Sequence, residues 1–223
     1  MTADKLGAGS DSEDEKEAFG TIANELLTLS FSTYEEQAPK DVRIQRPCVT
    51  SMIGALMACR SLGKSDYETL IMTVSKFAAK MTKQSEQCEM VTRCSHLFYV
   101  LENDGTTVVY ANPQRSLECL QRSLKLANAC TTADVSNLKL FVELFDIYLY
   151  FFEKNNPHIT GNYITGLAAL IKEHSSGIPP QYGPAAEAKQ QFLQIVRYIK
   201  AMKAKPESTE KFREIDVSSV ETK

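Results

Sequence analysis

The segment LKLFVELFDIYLYFF, residues 138–152, constrains the fold more than any other part of the chain. Its charged residues, Lys139, Glu143 and Asp146, recur at intervals of four and three, which places them on one narrow stripe of an α-helix. The rest of the circumference is apolar, so this helix needs other elements on nearly every side. The chain contains no run of 18 apolar residues, the minimum for a membrane-spanning helix. We therefore predict a central, buried helix in an all-α fold.

Seven further segments show the 3.6-residue period of helices that bury one face. The stretch from Leu117 to Cys130 has a wide apolar face, as expected of a helix that contacts both its hairpin partner and the neighbouring helix pairs. Together with the first segment, the predicted helices cover approximately residues 16–37, 45–62, 65–81, 85–102, 113–130, 133–154, 158–175 and 184–203. Each consecutive pair takes up about 40–48 residues, the period of HEAT-like repeats. The sequence thus predicts an α-solenoid of about four antiparallel HEAT-like helix pairs.

The predicted helical solenoid domain spans residues 16–204. Residues 1–15 are rich in Gly, Ser and acidic side chains, and we expect them to form a disordered acidic arm. Residues 205–223 form a polar C-terminal tail that is expected to fray, although KFREI, residues 211–215, could add one helical turn. The segment TTVVY, residues 106–110, is too short to predict more than a loop edge.

Local signals predict where several helices begin. Asn112 and Pro113 are predicted to be the N-cap and the first residue of the fifth helix. Pro47 is expected in the first turn of the second helix, where a missing N–H costs little. Ser65 and Glu68 have the spacing of a capping box at the start of the third helix.

Gly161 and Gly166 lie inside the predicted seventh helix. In a helix interior each costs about 1 kcal/mol relative to alanine. The two glycines either permit close approach by a neighbouring helix or a partner, or are simply tolerated.

Composition excludes several classes of function. The net charge of −3 gives no electrostatic support to nucleic-acid binding. The N-terminal residues lack the apolar core of a secretory signal, so the six cysteines are expected to be reduced in the cytoplasm. No phosphate-binding glycine loop or nucleophile elbow occurs. We therefore expect a scaffold without a cofactor, not an enzyme.

The spacing of the cysteines favours packing over metal binding or redox chemistry. Cys119 and Cys130 lie eleven residues apart on one predicted helix, about 16 Å along its axis, too far for a disulfide or for one metal ion. Cys88, Cys94 and His96 look more like a ligand set, but helical geometry directs them to different faces. All six cysteines are predicted to be free, small apolar fillers.

Three stretches, in the same order and at compatible spacing, resemble the C-terminal part of a known family. They are RCSHLFY (93–99), PQRSLECLQRSLKLANAC (113–130) and VELFDIYLYFFEKNN (142–156). The family is the large α-solenoid subunit of retromer, vacuolar protein sorting-associated protein 35. With weaker similarity outside these stretches, the resemblance covers most of residues 18–200. It implies a cytosolic scaffold that associates peripherally with endosomal membranes in a coat that recycles membrane cargo.

The resemblance also implies partners. The C-terminal solenoid of the family wraps the small retromer subunit, vacuolar protein sorting-associated protein 29, which has a phosphoesterase-like fold. The large subunits also meet each other, an acidic segment facing a lysine ridge. Glu35 and Glu36 match the acidic segment, and Lys80 and Lys83 match the ridge, which implies a possible homodimer.

His96 has two interpretations. It is either a satisfied residue at a helix edge or part of the surface that holds the small subunit, together with Leu97 and Tyr99. Tyr148 and Tyr150 are added to this predicted partner-binding set, because they lie near opposite sides of their helix and at least one should place its hydroxyl at a surface or a partner. A competing hypothesis for the whole chain is a helical-repeat module that only self-associates; an enzyme with an unrecognised site is a third.

Overall fold

The computed structural model describes residues 13–37, 40–102, 105–176, 178, 183–205 and 209–220. Within these ranges the chain forms nine α-helices, two short 3-10 helices and one β-hairpin. The α-helices are α1 (Glu13–Gln37), α2 (Val42–Ala58), α3 (Lys64–Ala79), α4 (Gln84–Cys94), α5 (Pro113–Ala133), α6 (Leu138–Glu153), α7 (Gly161–Ser175), α8 (Pro184–Ala204) and α9 (Thr209–Arg213). The 3-10 helices are Ser95–Phe98 and Val135–Asn137, and the strands are β1 (Tyr99–Leu101) and β2 (Val108–Ala111). The predicted all-α solenoid class is confirmed.

The core consists of two adjoining hydrophobic clusters. The N-terminal cluster is formed mainly by α1–α4, the 3-10 helix Ser95–Phe98 and Val100 of β1, and the C-terminal cluster mainly by α5–α9. The short helix α4 contributes to both, because Cys94 lies in the first cluster and Cys88 in the second. This sharing makes the repeats one continuous stack. Helix α6 contributes ten buried side chains to the C-terminal cluster, which confirms the predicted central helix.

Two predicted helix starts are wrong and one is confirmed. Helix α2 begins at Val42, where the Asp41 carboxylate accepts a hydrogen bond from the Arg43 backbone N–H at 2.9 Å, so Pro47 lies inside the helix and not in its first turn. Helix α3 follows Gly63, which has no side chain to cap it, and the predicted capping box is absent. Before α5, Asn112 accepts a hydrogen bond from the Arg115 backbone N–H at 3.2 Å, as predicted.

A β-hairpin replaces the predicted end of the fourth helix. Helix α4 ends at Cys94, and the chain passes through a 3-10 helix into β1, which pairs antiparallel with β2 through a bulge. Gly105, with φ +67°, supplies the left-handed conformation that the turn requires. The two valines and the tyrosine of VVY, residues 108–110, favour a strand where the sequence had predicted only a loop edge.

The two glycines of the predicted seventh helix differ in how much space surrounds them. Helix α7 begins at Gly161, so this residue is not interior; a Cβ there would lie 2.6 Å from the Glu214 Cβ and 2.9 Å from its carbonyl carbon. Close approach is therefore the reason for Gly161. Gly166 lies within α7, and a Cβ there would meet nothing within 4 Å, so Gly166 is tolerated.

The C-terminal segment, residues 209–220, packs onto the molecule and does not fray. Helix α9 and the residues after it bury four apolar side chains in the C-terminal cluster: Phe212, Ile215, Val217 and Val220. The KFREI turn is present as part of α9 and the residues that follow it. At the other end of the chain, residues 1–12 of the expected acidic arm lie outside the described residues, and Glu13–Glu15 belong to α1.

Candidate partner-binding surface

His96 lies in the 3-10 helix between α4 and β1 and is partly exposed. Its ring packs against two side chains of α6, with centroid distances of 5.1 Å to Tyr150 and 5.0 Å to Phe151. Burial lowers the pKa of the imidazole to about 4, so His96 is neutral near pH 7. The ring is therefore packed within the chain, as the first interpretation requires, and it keeps an exposed part that the second interpretation needs.

Three of the predicted partner-binding residues converge on the ring of Phe151. Tyr150 is half-buried and meets that ring edge-on at 5.2 Å, and Tyr99 of β1 meets it at 6.0 Å. The Tyr99 hydroxyl donates to the Lys154 carbonyl at 3.1 Å, which ties the hairpin to the end of α6. Burial raises the pKa of both tyrosines. We call His96, Tyr99, Tyr150 and Phe151 the aromatic cluster.

Sequence reasoning missed Phe151, the fully buried centre of this cluster. The run LYFF marks a buried helix but does not tell which turn of α6 the 3-10 helix will meet. That contact depends on where α4 ends, and the sequence placed this end too late. If the helix had continued past Cys94, the His96 and Tyr99 side chains would point in other directions.

The structure excludes Leu97 and Tyr148 from the predicted partner-binding surface. Leu97 is fully buried in the N-terminal cluster, and its carbonyl accepts the Tyr67 hydroxyl at 2.9 Å. Tyr148 is 1% exposed and stacks on Tyr163 at 5.8 Å. Its buried hydroxyl has no hydrogen-bond partner among the described residues. Neither side chain can contact a partner without rearrangement of the core.

The predicted self-association residues are all exposed. Glu35 and Glu36 lie in the last turn of α1, Lys80 caps the end of α3, and Lys83 precedes α4. Glu35 and Lys80 line the same groove, of about 330 Å³, so one surface carries both signs of charge. Lys83 is 3.7 Å from Glu86 of its own chain, which weakens its availability to a partner.

All six cysteines are free and dispersed. Cys88 donates to the Ser123 carbonyl at 3.3 Å, whereas Cys94 is buried in the N-terminal cluster, and His96 faces α6. Burial raises the pKa of the Cys88 and Cys119 thiols to about 12, so they are weak nucleophiles. Within the described ranges, no three His, Cys, Asp or Glu side chains are grouped so that they could hold a metal ion.

None of the described helices is both long and apolar enough to cross a membrane. The surfaces assembled so far, an aromatic cluster and a mixed-charge groove, are suited to contacts with other proteins and present no constellation of reactive groups. Aromatic side chains that combine an apolar body with a polar tip are enriched in protein interfaces.

Comparison with known proteins gives a consistent result. Residues 8–174 match the model of a family described as vacuolar protein sorting-associated protein 35. The chain is similar to vacuolar protein sorting-associated protein 35 of Schizosaccharomyces pombe, with 32% identity over 164 residues, 74% of this chain and 19% of that protein. It is also similar to protein 35B of Arabidopsis thaliana, with 33% identity over 190 residues, 82% of this chain and 23% of that protein. The chain thus spans about a fifth of the length of these curated relatives.

Proposed function

Because the chain belongs to the vacuolar protein sorting-associated protein 35 family, we propose that it is a scaffold in a retromer-like coat that recycles membrane cargo from endosomes. In this role it catalyses no reaction and needs no cofactor. It binds the small retromer subunit, vacuolar protein sorting-associated protein 29, and it reaches the endosomal membrane peripherally, through the assembled coat. The observation that carries the proposal is the aromatic cluster, because it lies within the stretches whose sequence resembles the family.

The aromatic cluster has the composition of an interface centre. The His96 and Tyr150 rings contact each other and are both partly exposed, while Phe151 supports them from the core. Such preordered rings lose little conformational entropy on binding, and truncating an anchor of this type typically costs at least about 2 kcal/mol, roughly thirtyfold in affinity.

The proposal is tested by calorimetric titration of the small subunit into the wild type and His96→Arg. We expect at least a thirtyfold loss of affinity, because the variant adds a charge that must be desolvated at the contact. The packing of His96 on Phe151 means that His96→Arg should also lower the melting temperature. The matched control is His174→Arg, since His174 is a half-buried histidine stacked on Phe141 of α6 at 5.0 Å.

If both histidine variants lose stability and only His96→Arg loses affinity, the aromatic cluster is the contact. Equal affinities of wild type and His96→Arg would rule the assignment out. Failure of the wild type itself to bind would favour the alternative function, a helical-repeat module that only self-associates.

We further propose weak homodimerisation through Glu35, Glu36, Lys80 and Lys83. A two-fold contact pairs the same patch on both subunits, so a patch with both signs of charge is self-complementary. Exposed ion pairs contribute only about 0–1 kcal/mol each and are screened by salt. Sedimentation at low salt should therefore detect a dimer that Lys80→Glu with Lys83→Glu abolishes. Lys125→Glu, on the exposed face of α5, is the control.

Mixing the lysine double variant with Glu35→Lys and Glu36→Lys should restore association, because the charges are then exchanged between the two chains. A dimer that resists both high salt and the lysine substitutions would exclude this interface.

A further inference from the structure

A pocket of about 250 Å³ lies between the β-hairpin and the connection from α2 to α3, and we call it the hairpin pocket. Its walls come from residues 59–67 and 100–111, and helices precede and follow both segments. Val100 of β1 lines the pocket, whereas Tyr99 of the aromatic cluster precedes it in the strand, where successive side chains point to opposite faces. The hairpin pocket is therefore separate from the aromatic cluster.

The floor of the hairpin pocket is aromatic. Tyr67 of α3 is buried, and its ring meets that of Tyr110 of β2 edge-on at 5.1 Å. Both hydroxyls are engaged within the chain, since Tyr67 donates to the Leu97 carbonyl at 2.9 Å and Tyr110 donates to the Glu68 carboxylate at 3.3 Å. The rings are thus available for apolar contact. Further apolar lining comes from Leu62, Val100 and Val109.

The size of the hairpin pocket restricts its occupant. Sites for drug-sized molecules usually measure about 300–1,000 Å³, so this pocket is better suited to a single large side chain. Val109 is 44% exposed, and the pocket is open to solvent on that side. An aromatic occupant suits the floor, because aromatic rings pack favourably edge-to-face on tyrosines.

The charge of the hairpin pocket is positive. Arg60 and Lys64 line it and are both exposed, whereas Asp66 and Glu68 of the same helix are not among its described lining residues. Lys64 forms no ion pair with another described residue. Burial raises the pKa of Tyr67, and the positive charge of Arg60 opposes this effect, so the guanidinium acts on the floor of the pocket. The exposed basic groups are therefore complementary to an anion next to the apolar occupant.

The C-terminal residue of a protein chain combines these two features, because its side chain and its free carboxylate are attached to the same carbon atom. Capture of a C-terminal carboxylate is a known mode of peptide recognition. We propose that the hairpin pocket is a docking site for the C-terminal residue of a partner protein, with a large aromatic side chain on Tyr67 and Tyr110 and the carboxylate at Arg60 and Lys64. This contact does not depend on binding of the small subunit.

The probe is an acetylated peptide of sequence GSGSF with a free C-terminal carboxylate. Three control peptides each change one feature: GSGSF with a C-terminal amide lacks the carboxylate, GSGSA lacks the aromatic side chain, and GSGFD amide moves the carboxylate to a neighbouring side chain. Titration into the chain with isotope-labelled methyl groups, followed by NMR, measures even weak binding. The probe should shift the methyl signals of Leu62, Val100 and Val109 and leave Leu29 of α1 unchanged. Each control should bind at least tenfold more weakly, equivalent to about 1.4 kcal/mol.

The basic side of the pocket is tested by Lys64→Glu, which should weaken binding of the probe at least tenfold. Lys64 is the first residue of α3, where an acidic side chain is favourable to the helix, so this variant should fold normally. Lys125→Glu, on the exposed face of α5, makes the same charge change away from the pocket and should bind like the wild type.

The apolar side is tested by Val109→Lys, for which the direction of the effect is diagnostic. An added positive charge would strengthen a purely electrostatic contact with the carboxylate, so weaker binding requires the apolar wall itself. Val108→Lys is the matched control, because Val108 is the preceding residue of β2, is 47% exposed and does not line the pocket. Melting temperatures establish that both variants fold.

Several results would overturn the proposal: equal binding of the acid and amide forms of GSGSF, unchanged binding by Lys64→Glu, or methyl shifts confined to residues outside the pocket. Equal binding of GSGFD amide would also overturn it, since the occupant is then an internal acidic segment and not a chain end. The same conclusion follows if GSGSF gives no saturable shift up to its solubility limit. None of these results bears on the titration of the small subunit into His96→Arg.

Discussion

The first and the last of the described helices differ in how much of their apolar surface the chain itself covers. At the C-terminal end, residues 209–220 fold back over α6, α7 and α8 and bury Phe212, Ile215, Val217 and Val220. Lysines of α8 fasten this segment, with Lys203 donating to the Ile215 carbonyl at 2.6 Å and Lys200 to the Val220 carbonyl at 2.8 Å. In α1, by contrast, Ile22, Leu26 and Leu29 are exposed, and α1 and α2 enclose an open cleft of about 870 Å³ that Phe31 lines.

The difference shows which faces of the helical stack are buried within this chain. Every repeat buries its faces against its neighbours, so the terminal faces need either a cap or a partner. Residues 209–220 cover the helices before them, so this apolar surface is buried within the chain itself. Among the described residues, no segment covers the outer face of α1 in the same way.

The largest contrast is expected between two buried phenylalanines, one at each end. Phe212 is 4% exposed and packs edge-to-face on Phe152 at 5.6 Å, so Phe212→Ala should cost about 3–5 kcal/mol of unfolding free energy. Phe31→Ala should lie near the lower limit of that range, because the space it leaves opens into the α1–α2 cleft that Phe31 lines. Urea unfolding followed by circular dichroism measures both. An equal or reversed order would contradict the view that only the C-terminal end is sealed.

The fit of the C-terminal cap is tested by two glycines of one helix. Gly161→Ala places a Cβ against the backbone of Glu214 and should cost about 1–3 kcal/mol, since the capping segment must shift. Gly166→Ala has free space and should stabilise α7 by about 0.5–1 kcal/mol. Opposite signs in chemical unfolding, with faster proteolysis after α8 in Gly161→Ala alone, are expected. Stabilisation by both substitutions would mean that the cap is loose.

The contribution of His96, which lies between the two hydrophobic clusters, should make stability depend on pH. Burial depresses the pKa of His96 to about 4 in the folded chain, below the value of about 6.5 in the unfolded chain. The unfolded state therefore binds more protons in this window, and the stability contributed by neutral His96 is complete above pH 6.5 and is lost as the pH falls towards 4. We expect about 1–2 kcal/mol less stability at pH 5 than at pH 7.5 on this account.

The pH effect is isolated by comparison with His96→Gln, which should lack it, and with exposed His158→Gln, which should keep it. The comparison is necessary because burial raises the pKa of Glu143 and Asp146, which gives their contributions the opposite sign. If the unfolding free energies of the wild type and His96→Gln changed in parallel with pH, His96 would not destabilise the protein in acid.

The smallest effect is expected at an exposed leucine of α1. Leu29 is 65% exposed, so Leu29→Gln should change the unfolding free energy by no more than about 0.5 kcal/mol. Leu70→Gln, at a position 4% exposed in the N-terminal cluster, is the positive control and should be strongly destabilising. A large loss from Leu29→Gln would mean that α1 is covered in solution, contrary to its exposure in the isolated chain.

Much of the helical architecture followed from local chemistry. Pro113 and Pro184 begin α5 and α8 as predicted, because a proline at the first helical position loses no hydrogen bond. The narrow polar stripe of α6 correctly predicted a central helix. These features depend on residues close in sequence, which is why sequence reasoning reached them.

The sequence predictions failed where contacts between residues far apart in the chain determine the local structure. The apolar residues after Cys94 suit both a helix and a strand, and the pairing of β1 with β2 selects the strand. Tyr148 and Tyr150 were correctly placed on different sides of α6, but only the packing of α7 against Tyr148 determines which one is buried. The burial of Phe212 and Val217 could not be foreseen because their irregular spacing gives no periodic signal.

Hydrogen bonds at the end of α6 affect how the protein unfolds. Glu153, Lys154 and Asn155 accept hydrogen bonds from residues far away in sequence: Tyr198 at 2.7 Å, Tyr99 at 3.1 Å and Lys211 at 2.6 Å. These bonds join positions 45, 55 and 56 residues apart, so they span more than one helix pair. A linear stack without such ties can unzip from one end, pair by pair. Here the hairpin, α8 and the capping segment are fastened to one corner, and the C-terminal half should open all at once or not at all.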